Sequence, residues 1–170
     1  MTSNPEDSLR NRAPFLVLGL GNTLLGDDGL GPALIEQLLQ EQERWKDRIE
    51  FLDGGTQGLA LLGPLSGREA IIIVDALATG APPGTTRILN VSEIFQMGVN
   101  RANTSHEGNA SELLAVAKVL DELPDHVFVV AVEPQNIATG YGLSESARRA
   151  LPIAANRVRY LLTELSYPSQ

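Results

Sequence analysis

Apolar positions along the chain fall into short solid runs separated by longer periodic stretches. Pro14-Phe-Leu-Val-Leu-Gly-Leu20 is an apolar run ending beside glycine, which predicts a strand buried on both faces. From Leu30 to about Glu43, Leu30, Leu34, Ile35, Leu38 and Leu39 mark one face of a helix, and Pro32 fits its first turn. Ile49-Glu-Phe-Leu52 predicts a second strand, closed by Asp53-Gly-Gly-Thr56, with a short helix from about Gln57 to Leu62. Ala70-Ile-Ile-Ile-Val74 is β-branched and wholly apolar, so it predicts a central third strand with Asp75 at its end. Beyond the turn at Pro82-Pro83-Gly84, Thr86–Val91 reads as an extra strand near an edge. Residues 98–110 form a polar loop, and Ser111–Leu120 a helix. Val127–Val132 is the next strand, closed by Glu133-Pro134, and a last helix runs from near Ser144 to about Leu165.

Strands that alternate with helices predict an α/β fold. The expected architecture is a three-layer α/β/α sandwich around a mostly parallel, twisted sheet of about five strands. A single domain over residues 14–166 is expected, after a flexible N-terminal leader at 1–13. Right-handed crossovers gather the strand-to-helix loops at one sheet edge, where ligands bind near the topological switch point. If the four buried strands run in the order 2-1-3-4, the loops after the first and third flank that point. Asp28 and Asp75 then face each other across one crevice.

Composition narrows the chemistry. With 170 residues, 43% of them hydrophobic, the chain is long enough to build one sizeable core. It has no cysteine, which excludes disulfides, thiolate metal sites and a cysteine nucleophile. A net charge of −8 argues against nucleic acid and anionic membrane as partners, and suits a cation or a basic segment. No run approaches the roughly 18 apolar residues of a membrane span. The polar start lacks the apolar core of a signal peptide, so a cytoplasmic protein is expected, and a monomer is the default at this size.

Acids close each buried strand. Asp27 and Asp53 sit beside glycines and read as turn or capping residues, and Glu133 as the holder of a loop amide. Asp75 follows a solid apolar run, so it is expected to be desolvated and to want a cation or a donor. Of two histidines, His126 falls at the opposite sheet edge, while His106 lies in the polar loop, where pattern alone does not place it. Two carboxylates and an imidazole suit a divalent transition metal with open positions. Competing motifs fail. Gly19-Leu-Gly21 has Leu24 where a dinucleotide fingerprint needs glycine, and there is no P-loop or G-x-S-x-G elbow.

The segment Leu18-Gly-Leu-Gly-Asn-Thr-Leu-Leu-Gly-Asp-Asp-Gly-Leu-Gly31 resembles the opening of the nickel–iron hydrogenase maturation endopeptidases. Leu52-Asp-Gly-Gly-Thr56, Ile73-Val-Asp-Ala76 and Ser105-His106 resemble three later family segments, in order. The resemblance covers roughly residues 14 to 165. It implies nickel contact by Asp28, Asp75 and His106, with Asp28 and Asp75 as catalytic acids. It also implies substrate-binding or supporting roles for Asn22, Asp27, Asp53, Gly54, Gly55 and Thr56. Many relatives have Gln after the histidine, where this chain has Glu107. The implied activity removes the C-terminal extension of the hydrogenase large-subunit precursor after nickel insertion, with nickel carried by the substrate. A non-catalytic nickel checkpoint on the same precursor is the alternative. A related endopeptidase with another substrate is a third reading.

Overall fold

The computed structural model describes residues 12–45, 47–99 and 110–166. Its five strands are β1 (Phe15–Leu20), β2 (Ile49–Gly55), β3 (Ala70–Ala76), β4 (Thr86–Asn90) and β5 (His126–Val132). They form one sheet in the order β2-β1-β3-β5-β4, parallel except for the antiparallel β4–β5 pair. The expected order of the four buried strands is therefore observed, and Thr86–Asn90 is an edge strand. Burial follows position in the sheet. β1 and β3 are buried throughout, whereas the edge strands β2 and β4 expose several residues.

Helices cover both faces. α1 (Leu30–Leu39) and α5 (Glu145–Ser166) pack on one face, against Phe15, Val17, Ile72 and Val74. α2 (Leu62–Leu65), α3 (Val91–Val99) and α4 (Ala110–Val119) lie on the side of Leu16, Leu18, Ile71 and Ile73. The alternation of side chains along β1 and β3 divides the two cores. This is the expected α/β/α sandwich.

Several boundaries differ from the sequence reading. α1 stops at Leu39, and a separate 3-10 turn follows at Gln42–Trp45, because no apolar residue continues the stripe between them. The segment after β2 begins as a 3-10 turn at Gly58–Leu61 before α2. α3 takes in Val99, the second residue of the expected loop. β2 and β3 each run past their expected ends, so Asp53 and Asp75 lie within strands. For Asp75 this matters. It shares the parity of Ile71 and Ile73, so it points toward the face of α3 and α4.

Close backbone packing carries α1 onto the sheet. A Cβ on Gly31 would sit 2.1 Å from the Leu20 carbonyl oxygen and 2.8 Å from that of Val74. Gly21 has φ +126, and a Cβ there would lie 1.8 Å from the carbonyl oxygen of Asp28. Only glycine at these two positions lets the loop fold back over the carboxyl ends of β1 and β3.

Candidate functional site

The β1–β3 boundary is the switch point. β1 connects outward to β2, and the chain returns to β3 on the other side of β1. The loop after β1 includes a 3-10 turn, Gly26–Gly29, that carries Asp27 and Asp28. Asp28 is half-buried, and its Oδ2 accepts the amide of Asn22 at 2.8 Å. The Asn22 side chain in turn accepts the Leu24 amide at 2.9 Å, which shapes the loop.

Asp75 is buried, at 3% exposure. Its Oδ2 accepts the amide of Ala110, the first residue of α4, at 3.1 Å. Burial pushes its pKa up to about 7, and the charge of Asp28 adds to that. Amide hydrogen bonds from Ala110 and Ala76 offset only part of it. The two acids named from the sequence are thus near enough for the charge of Asp28 to act on Asp75. A pair of this kind wants either a proton or a cation between its members. Two carboxylates so placed have donor chemistry that fits a divalent metal.

His106 and Glu107 lie outside the described residues. Among the described residues no group of three or more His, Asp or Glu side chains forms a metal cluster. In sequence, His106 precedes Ala110 by four positions, and Ala110 donates the amide that holds Asp75.

The remaining acids do other work. Asp27 is buried and serves as a bracket. Its carboxylate accepts the amides of Gln135, Asn136 and Ser144 at 2.8, 3.2 and 2.7 Å, and the Ser144 hydroxyl at 2.8 Å. Burial would raise its pKa, but these hydrogen bonds outweigh that and hold it below the usual value. Glu133 is buried and accepts the Thr79 amide and hydroxyl and the Gly80 amide, so it holds the loop after β3. Asp53 is exposed and accepts the Gly55 amide at 2.9 Å, which is an Asx turn. Gly54 is buried against Leu18, and Thr56 is exposed. His126 opens β5 at the far edge and is exposed. The Asp27 bracket spans more than a hundred residues, so no local pattern could have announced its partners.

A family model described as hydrogenase maturation protease matches residues 32–160, a span that includes Asp75 and His106 and begins after Asp28. The chain is 32% identical over 151 residues to the Hydrogenase 2 maturation protease of Escherichia coli strain K12, covering 88% of this chain and 91% of that protein. It is also 32% identical over 128 residues to the hydrogenase expression/formation protein HupD of Thiocapsa roseopersicina. That match covers 74% of this chain and only 57% of the longer relative. Among solved structures, the hydrogenase maturating endopeptidase HybD from E. coli superposes with a TM-score of 0.76 at 30% identity, covering 88% of this chain and 92% of that one.

Proposed function

The chain belongs to the hydrogenase maturation protease family, whose name places it among hydrolases of peptide bonds, and on that footing we propose that it cuts the C-terminal extension from a nickel-loaded hydrogenase large-subunit precursor. The observation that carries this reading is the Asp28–Asp75 pair at the switch point, with Asp75 buried and its pKa lifted to about 7. Nickel arrives as part of the substrate and supplies Lewis-acid polarisation of the scissile carbonyl or of a water. Asp28, Asp75 and His106 grip it through open coordination positions. Where the metal serves only to hold and polarise the substrate, one of the two acids takes the proton of the attacking water instead. No cysteine exists to serve as a nucleophile, which favours direct attack by water.

The protein acts as a cytoplasmic monomer in this reading. Among the described residues, no helix is long and apolar enough to cross a membrane. The test incubates purified protein with nickel-loaded precursor. Wild type yields a shortened large subunit, and Asp75→Asn yields none while retaining its fold by circular dichroism. A stable complex without cleavage by wild type makes the protein a nickel checkpoint instead. Normal processing by Asp75→Asn removes Asp75 from the chemistry.

A further inference from the structure

A groove of about 410 Å³ runs from the turn that carries Asp28 along the outer face of α1. Gly26 and Gly29, which bracket Asp27 and Asp28, form its near end. Pro32, Ile35 and Leu39 of α1 line one side, and Tyr141 and Leu143 the other. Tyr141 is 88% exposed and Leu39 47% exposed, so both present apolar surface at the groove that a partner can cover. The charged side chains at the groove are Glu36 and Asp53, and no lysine or arginine lines it. Glu36 makes no ion pair among the described residues.

The Tyr141 wall is built in advance. Gly26 donates to the Gly140 carbonyl at 2.8 Å, and Gly140 donates to that of Leu24 at 3.0 Å. The Asp27 amide donates to the Asn136 carbonyl at 3.0 Å, and the Asp27 carboxylate binds the amides of Gln135, Asn136 and Ser144. Asp27, the buried acid next to Asp28 in sequence, is thus committed wholly to fixing the segment that bears Tyr141. Such investment suits a surface that must keep its shape for a partner.

We propose that this groove seats an extended segment of the substrate next to the cut, one that presents an apolar side chain to Leu39 and Tyr141 and a basic side chain to Glu36 and Asp53. The proposal rests on the proteolytic reading for its substrate. Charge argues for the occupant: an acidic rim recruits a cationic segment. The same argument disfavours a second copy of this chain, whose net charge is −8. Continuity argues likewise, because Gly26 and Gly29 of the groove belong to the same short turn as Asp28.

The experiment measures binding and cleavage of nickel-loaded precursor by wild type, Glu36→Lys and Tyr141→Ala. Both substituted side chains are solvent-facing, and the fold is checked by thermal melting. Both variants raise KM about tenfold while kcat stays within about twofold, the signature of lost docking with intact chemistry. Reversing a basic residue near the cut of the precursor to Glu restores affinity to Glu36→Lys and weakens it for wild type. Unchanged KM in both variants overturns the groove assignment. So does a concentration-dependent dimer in sedimentation that both variants abolish, which would make the groove a self-interface. If wild type binds but does not cut, and binding still depends on Glu36 and Tyr141, the groove stands and the proteolytic reading falls.

Discussion

Two buried aspartates, Asp75 and Asp27, show how environment divides one residue type into two roles. Asp75 keeps a proton that an exposed carboxyl would lose, because burial and the charge of Asp28 disfavour its anion. Its ordinary value is 3.8, and its folded value is about 7. Below 3.8 both folded and unfolded chains hold this proton, and the stabilising effect of the raised value is fully present. As pH rises toward 7 the unfolded chain releases it first, so stability falls, by an amount on the order of a few kcal/mol once pH exceeds the folded value. Asp75→Asn removes that loss and can still accept the Ala110 amide. The variant is therefore expected to be inactive yet to melt higher than wild type at pH 8, with the gain gone at pH 4. Calorimetry at the two pH values checks this. Asp27 behaves in the opposite way, since its hydrogen bonds favour the anion. Asp27→Ala leaves buried donors unpaired at Gln135, Asn136 and Ser144, and should cost about 3 kcal/mol at pH 7 by urea unfolding. Its own contribution is present above 3.8 and is lost as pH falls through the lowered folded value, so wild type and variant converge in acid.

At the scale of elements, the site depends on how near α1 can come to β1. Gly31→Ala would drive a methyl into the backbone oxygens of Leu20 and Val74, neither of which can rotate away. The helix must shift, and with it the turn that carries Asp28. A loss of about 3 kcal/mol in urea unfolding is expected, together with slower processing. Gly63→Ala is the control, because a Cβ there meets nothing within 4 Å, and it should change stability by no more than about 0.5 kcal/mol. Elements of this sort were largely legible in the sequence. The solid apolar runs of β1 and β3 predicted their burial, and their place in the 2-1-3 order put Asp28 and Asp75 beside the switch point, where the charge of one acts on the other. α3 was missed although its signal was present: Asn90 and Glu93 form a reciprocal capping box, Asn90 Oδ1 accepting the Glu93 amide at 3.0 Å and Glu93 Oε2 accepting the Asn90 amide at 2.8 Å. The roles of Asp27 and Glu133 were legible only as generic loop holders. Their partners lie far away in sequence, and tertiary packing alone brings them within reach. His106 rests on the family resemblance, since its loop carries no periodic pattern.

For the whole molecule, the acid pair makes metal affinity and protonation compete. On the proposed reading, a divalent cation held by Asp28 and Asp75 would replace the proton on Asp75 and relieve its repulsion with Asp28, so binding to the folded chain would stabilise it by linkage. A hundredfold excess of nickel over its dissociation constant is worth about 2.7 kcal/mol. For a chain of this size that is a rise in melting temperature of roughly 5–10 °C. The rise should be present at pH 8 and shrink as pH drops below 7, where the proton reclaims Asp75. It should vanish on adding a chelator and be absent in Asp75→Asn. The net charge of −8 alone would attract cations diffusely, but such attraction is screened by salt and indifferent to one buried side chain. Thermal melts in nickel at 0.15 M salt therefore separate the two origins. A shift equal in wild type and Asp75→Asn assigns the effect to the surface field and leaves the crevice without a cation.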